Sequence, residues 1–126
     1  MACLITLFLF PVGSRAHCDG LDGPVVKAAR TALESGKIEP ALIWIQPNGE
    51  AEVRAAFDHV KEVRKLSADA RDLADRYFYE TLVRVHRAGE NAPYTGLKPS
   101  GQKLPEAIRL ADLAIENGNV AAVTSQ

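Results

Sequence analysis

The chain has 126 residues, the length of a single domain. Its charge is nearly balanced, with 15 Lys and Arg residues against 16 Asp and Glu residues, which excludes the basic excess of a nucleic-acid-binding protein. The sequence also has no run of basic residues that would indicate a segment held at a membrane surface.

An apolar run opens the chain, from Ala2 to Phe10, and Pro11 ends it. The run is shorter than the about 20 apolar residues that span a bilayer. It fits the core of a secretory signal, with Ser14-Arg15-Ala16 as the cleavage site. No basic residue precedes the run, so a buried N-terminal strand or helix is the alternative. We expect a signal peptide at 1–16, export to the periplasm or the extracellular space, and no stable membrane span after cleavage.

Amphipathic helices are predicted for the rest of the chain. Pro24 is typical of the first helical position and Gly36 of a left-handed C-terminal stop. The apolar residues between them recur at helical spacing: Val25, Val26, Ala29, Ala32 and Leu33. A short apolar piece follows at 41–45, and its length fits either a turn or two of helix or a buried extended segment.

Two longer helices follow, each with a predicted cap. Asn48 is the expected N-cap of the second helix, and Ser67 that of a third helix over 68–88 that stops at Gly89. The apolar stripe of the second helix comprises Val53, Ala56, Phe57, Val60, Val63 and Leu66. The core face of the third comprises Leu73, Ala74, Tyr77, Phe78, Thr81, Leu82 and Val85. Tyr77, Phe78 and Tyr79 are consecutive, so at least one ring is exposed or lies in a homo-oligomer interface.

A loop at 90–103 precedes a last helix, which Pro105 begins and Gly118 ends. Four amphipathic helices with short connections predict an all-α fold, an antiparallel four-helix bundle behind an N-terminal signal segment. We expect the bundle domain at 17–118 and a flexible tail at 119–126. One core is predicted to contain Val26, Ala29, Phe57, Val60, Phe78, Val85, Leu110 and Leu113.

Cleavage behind Ala16 would create an unusual N-terminus at His17. A free amine, an imidazole, a backbone amide and the Cys18 thiolate then lie within two residues, and such donors suit nickel, copper or zinc. Cys3 leaves with the signal, so the remaining thiol indicates metal binding, redox chemistry or an intermolecular bridge. The alternative is that His17 and Cys18 are the first residues of a frayed terminus.

This His17-Cys18-Asp19 head resembles that of nickel superoxide dismutase. The resemblance implies a small helical subunit whose nickel hook uses the terminal amine, the imidazole, and the amide and thiolate of the first cysteine. The family's second cysteine corresponds to Asp22, and Gly23 matches the family pattern. Because a carboxylate is a harder ligand than a thiolate, copper or zinc becomes about as plausible as nickel.

A second resemblance covers most of the chain behind the leader. The segments 17–25, 73–90 and 93–99 are similar to a family of small exported bacterial proteins of unknown function. This resemblance supports the domain boundaries and implies no activity.

A group of polar side chains lies at the end of the third helix. Glu80 and Arg84 share a face, and Arg76 can also reach Glu80. His86 and Glu90 share a face if the helix continues past Gly89. His86 borders the apolar stripe, where it is either a core histidine bonded to a carbonyl or a metal ligand or proton donor near the head. Tyr94 lies in the following loop and could cover a pocket.

These observations predict an exported metal-binding protein with a small-molecule or metal ligand. The expected metal ligands are His17, Cys18, Asp22 and His86, of which His17 and Cys18 would be catalytic. The expected supporting residues are Asp19, Glu80, Arg84, Glu90 and Tyr94. Three functions remain open: a redox enzyme acting on superoxide or a related oxidant, a non-enzymatic periplasmic metal carrier, and a helical binding or adaptor protein without a metal.

Overall fold

A computed structural model describes residues 17–103 and, beyond them, Glu106, Arg109, Leu110, Leu113 and Ala114. The chain divides into two compact units, one of residues 16–102 and one of residues 1–15 with 103–126. The described backbone is helical, and its only strand-like feature is an isolated parallel bridge between Gly20 and Lys98. The all-α prediction is therefore confirmed. The predicted signal at 1–16 and the tail at 119–126 lie outside the described residues.

Helix α1 spans Pro24–Ser35, and its bounds match the prediction. Pro24 occupies the first turn, and Gly36 ends the helix with a left-handed φ of 70°, a conformation that favours glycine. All five predicted apolar residues are buried. For α1, the apolar spacing predicted the buried face, and the residues at both ends predicted the bounds of the helix.

Helix α2 is a single turn, Glu39–Leu42, which includes the first two residues of the short apolar piece, and the rest of that piece, 43–45, is turn and bend. A 3-10 turn at Pro47–Gly49 leads into α3, Glu50–Val63. The predicted Asn48 cap is wrong, because this turn takes up Asn48 and leaves Gly49 as the N-cap.

Helix α4, Ala68–Gly89, is the longest helix described. Ser67 is its N-cap as predicted, with the hydroxyl accepting a 3.0 Å hydrogen bond from the Ala70 amide. Gly89 is the last helical residue and Glu90 the C-cap, so the helix does continue one residue past the expected end. No described helix is both long and apolar enough to cross a membrane.

The core of the first unit forms where α4 packs on α1 and on α3. Six of the eight predicted core residues are buried there: Val26, Ala29, Phe57, Val60, Phe78 and Val85. The other two, Leu110 and Leu113, belong to the second unit.

The predicted last helix falls in the second unit. The five residues described there between 106 and 114 have helical backbone, and the other residues of that helix lie outside the described part of the chain.

Three further residues expected on core faces are exposed. Leu66 is 77% exposed because α3 ends at Val63. Leu73 and Tyr77 are 73% and 54% exposed, while Tyr79 is buried. Ala74 is the first buried residue of α4. The turns before it therefore extend past the helices that pack against the rest of α4.

Arg64, the C-cap of α3, contacts both α1 and α4. Its guanidinium pairs with Asp75 of α4 and donates a 2.7 Å hydrogen bond to the Leu33 carbonyl of α1. The carbonyls in the last turn of a helix have no partner within the helix, so Arg64 satisfies one of them. This contact fixes the end of α3 against α1 and α4.

Candidate functional site

Residues 17–22 form a head that is held by backbone hydrogen bonds. His17–Asp19 is a 3-10 turn in which the Gly20 amide donates to the His17 carbonyl at 3.3 Å. The Leu21 amide donates to the Lys98 carbonyl at 3.0 Å, and the Lys98 amide donates to the Asp19 carbonyl at 2.8 Å. The head is therefore joined to the segment that follows α4, and is not a frayed end in this structure.

Asp19 and Arg87 form a buried ion pair beneath the head. The Arg87 Nε donates to Asp19 Oδ1 at 2.7 Å, and the two side chains are 3% and 6% exposed. Burial alone lowers the pKa of Arg87, but the hydrogen bond and charge of Asp19 outweigh it and raise that pKa above its ordinary value. Asp19 thus has a defined partner, which attaches the head to the last turn of α4.

His17 and Cys18 are half-buried on this anchored turn. Cys18 packs against the core, and a charge on its sulfur acts on Arg87 in the same direction as Asp19 does. Gly23 lies so close behind the turn that a Cβ there would collide with the His17 carbonyl oxygen.

Asp22 has a contact that the sequence did not predict. Its Oδ2 accepts a 2.7 Å hydrogen bond from the Gly101 amide, and the side chain is exposed. Helix α1 has Gly23 as its N-cap and no side-chain capping bond, so Asp22 does not cap it. The Asp22 carboxylate therefore serves as a second connection between the head and the segment behind α4.

His86 faces the α2–α3 connection. Its Nδ1 lies 2.8 Å from the Trp44 carbonyl oxygen, so the predicted alternative of a core histidine bonded to a carbonyl is confirmed. Its Nε2 lies 3.5 Å from the Glu90 carboxylate, and the imidazole is 10% exposed. The predicted pairing of His86 with Glu90 is therefore confirmed.

Glu80 and Arg84 share a face of α4 but have different partners. Glu80 pairs with Arg76 at 3.2 Å, as the sequence analysis allowed, whereas Arg84 reaches Glu52 of α3. Both pairs lie on exposed side chains, which contribute little to stability.

Tyr94 is half-buried and packs against the core. Burial raises the pKa of its hydroxyl, the negative charges of Glu80 and Asp19 raise it further, and the Leu97 backbone acts in the opposite direction. Of these causes, burial is the largest.

The structure gathers part of the predicted site. Asp19 and Cys18 belong to the head, and Glu90 is connected with it through a 3.4 Å contact with Arg87, the partner of Asp19. Among the residues described, no three His, Cys, Asp or Glu side chains form a group that could hold a metal ion. A metal at the head thus requires main-chain donors, as the predicted hook does.

Arg87 is the central residue that the sequence analysis missed. A basic side chain in the last turn of a helix is typical of a solvated residue that interacts with the helix dipole, so its position indicated exposure. The apolar residues around it, Val83 and Val85 before it and Ala92 after it, were the available signal that this end of α4 is buried.

Comparison with known proteins gives one match. Residues 22–126 match the family of unknown function DUF6448, so the matched region starts at Asp22 and leaves His17 and Cys18 outside it. No curated protein matches the chain, and no solved structure does. The match covers most of the sequence, and the chain belongs to DUF6448, a family of unknown function.

Proposed function

We propose that the chain is an exported helical protein whose N-terminal head binds one transition metal ion after cleavage between Ala16 and His17. The ligands are the new amine, the His17 imidazole, and the amide and thiolate of Cys18. Nickel, copper and zinc all suit this donor set. An antiparallel four-helix bundle, in which the residues of 105–118 supply the fourth helix, is part of the same proposal.

The observation that carries the proposal is the anchoring of the head. Two backbone hydrogen bonds to Lys98 and the buried Asp19–Arg87 pair fix the residues next to His17 and Cys18. A fixed turn presents its donors with less loss of conformational entropy than a frayed terminus would.

Two functions follow from a metal in this place. A redox enzyme that acts on superoxide is the function that the resemblance to the nickel hook implies. A non-enzymatic metal carrier is the second candidate, and the hydrogen bond between Asp22 and Gly101 favours it. The Asp22 carboxylate is engaged there, and Cys18 is the one thiolate of the head. One soft donor stabilises trivalent nickel less than two soft donors would.

Metal analysis of the mature protein from an exporting host tests the proposal. We expect the intact mass of a chain that begins at His17. We also expect about one metal ion per chain after reconstitution. Cys18→Ser should abolish the thiolate-to-metal charge-transfer band. The uncleaved chain is the matched control, because its residue 17 carries an amide in place of an amine. A mature chain that starts at His17 and binds no metal would overturn the proposal.

Asp22→Cys separates the enzyme from the carrier. If the head can perform the superoxide reaction, the second thiolate should raise both nickel affinity and superoxide consumption. If the head is a carrier, affinity changes and superoxide consumption stays at the level of free metal. Loss of the Gly101 hydrogen bond should cost about 1 kcal/mol of stability in either case, which thermal unfolding measures.

A further inference from the structure

We propose that the first turns of α4 form the interface of a homodimer, in which this helix packs antiparallel against the same helix of a second copy of the chain. The interface lies on the exposed side of residues 68–80. It goes beyond the function proposed above, and it depends neither on cleavage of the leader nor on a metal at the head.

Large apolar side chains are exposed at this end of α4. Leu66, Leu73 and Tyr77 are each more than half exposed. Leu73 and Tyr77 are four residues apart and are therefore neighbours on the helix surface, while Leu66 directly precedes the N-cap residue. Exposed apolar residues that lie together on one surface are typical of a contact with another protein.

The residues around Leu73 repeat after seven positions. Asp69 lies four residues before Leu73, and Arg76 lies three residues after it. Seven residues are close to two full helical turns, so Asp69 and Arg76 share one flank of Leu73. Ala70 and Tyr77 are also seven residues apart, and they share the other flank.

A two-fold axis at Leu73 would place unlike residues of two antiparallel copies opposite each other. At 1.5 Å per residue, Asp69 lies about 6 Å along the helix from this axis, and Arg76 lies about 4.5 Å from it in the other direction. The carboxylate of each copy thus faces the guanidinium of the other, and the symmetry forms this ion pair twice. On the other flank, the ring of Tyr77 meets the small side chain of Ala70. The surface is therefore complementary to itself in both charge and size.

Both charged groups are placed to reach a second copy. Asp69 is exposed in the first turn of α4. The Arg76 side chain is 64% exposed, and its Nε donates to Glu80 at 3.2 Å. This bond orients the guanidinium and leaves its two Nη atoms for the carboxylate of the second copy. An acidic residue in the first turn also interacts favourably with the helix dipole, so the test has to separate that effect from dimerisation.

Sedimentation velocity of the full chain tests the dimer. The contact covers only about 20 Å of helix, so we expect a dissociation constant of about 10–100 μM and an average mass that rises towards two chains by about 1 mM. Asp69→Arg and Arg76→Asp should each weaken the dimer at least about tenfold, because each places like charges opposite each other twice. An equal mixture of these two variants should form a heterodimer, because each copy then meets the opposite charge.

Asp58→Arg is the matched control, because it makes the same charge change at an exposed position of α3 and should leave the dimer intact. Leu73→Glu should abolish dimerisation. A parent chain that remains monomeric at about 1 mM would assign the apolar face to a different partner and overturn the proposal. Association that Leu73→Glu leaves unchanged would also overturn it.

Failure of the two charge variants to associate in the mixture would overturn the proposed pairing. This arm excludes the helix dipole as the explanation, since a second chain cannot restore the contribution of Asp69 to its own helix. Asp69 and Arg76 are exposed, so both variants should keep the fold, which circular dichroism verifies.

Discussion

Asp19 and Arg87 show how much a single pair of side chains contributes to the head. Removing one charge from a buried pair leaves the other without compensation, and this costs more than removing both. The pair therefore makes the position of the head depend on the last turn of α4. The sequence predicted neither the burial of this pair nor its formation. The two residues are 68 positions apart, and each is of a type that is common on protein surfaces.

Substitution of Arg87 tests this dependence. Arg87→Met should lower the free energy of unfolding by about 3–5 kcal/mol, since it leaves a buried carboxylate unpaired. The double variant with Asp19→Asn should recover part of that loss. Urea unfolding monitored by circular dichroism measures both. Additive losses in the double variant would show that the pair is not coupled.

The raised pKa of Tyr94 should make the free energy of unfolding fall in alkaline solution. Its pKa is raised in the folded protein, first by burial and then by the charge of Glu80, so the unfolded chain loses this proton first. The stabilisation is complete below about pH 10 and is lost as the pH rises from there towards the folded-state pKa.

Tyr94→Phe should remove this part of the alkaline loss. The difference in melting temperature between about pH 8 and about pH 10.5 should be smaller in the variant than in the parent. An unchanged difference would contradict the role given to burial.

At the scale of elements, the predicted apolar face of a helix matches its buried residues best where neighbouring helices pack along its whole length. All of the apolar stripe of α1 is buried, and its ends carry Pro24 and Gly36, so spacing and end signals sufficed. The stripes of α3 and α4 were predicted too long, as Leu66 and Leu73 show. Helical periodicity identifies the face of a helix, but the length of the covered part depends on neighbours that local sequence does not specify.

Two glycines at opposite ends of α1 test local backbone requirements. Gly36→Ala meets no atom within 4 Å and suffers only from the positive φ, which costs about 1–2 kcal/mol. Gly23→Ala collides with the His17 carbonyl, so we expect a larger loss together with a displaced head. Thermal unfolding compares the two losses, and amide shifts of Cys18 and Asp19 report the displacement. Equal losses and unmoved amides would refute close packing behind the head.

At the scale of the whole molecule, the unit of residues 16–102 has its own core, which α1, α3 and α4 build. A fragment of these residues should therefore unfold cooperatively and keep its helical circular dichroism. The sequence predicted the class and the main helices of this unit, but not its division from residues 103–126. A non-cooperative fragment would show that the second unit is needed for the first to fold.

The hydrogen bonds from Leu21 to Lys98 and from Gly101 to Asp22 have a topological consequence. They make residues 21–22 and 98–101 neighbours in space, so the described chain of this unit is almost a closed ring. A linker from Gln102 to His17 could complete the ring, and a new opening at the exposed Gly36–Lys37 turn would give a circular permutant of the same fold. In such a permutant the head would be an internal loop, and the turn at residues 17–19 would persist without any terminus beside it.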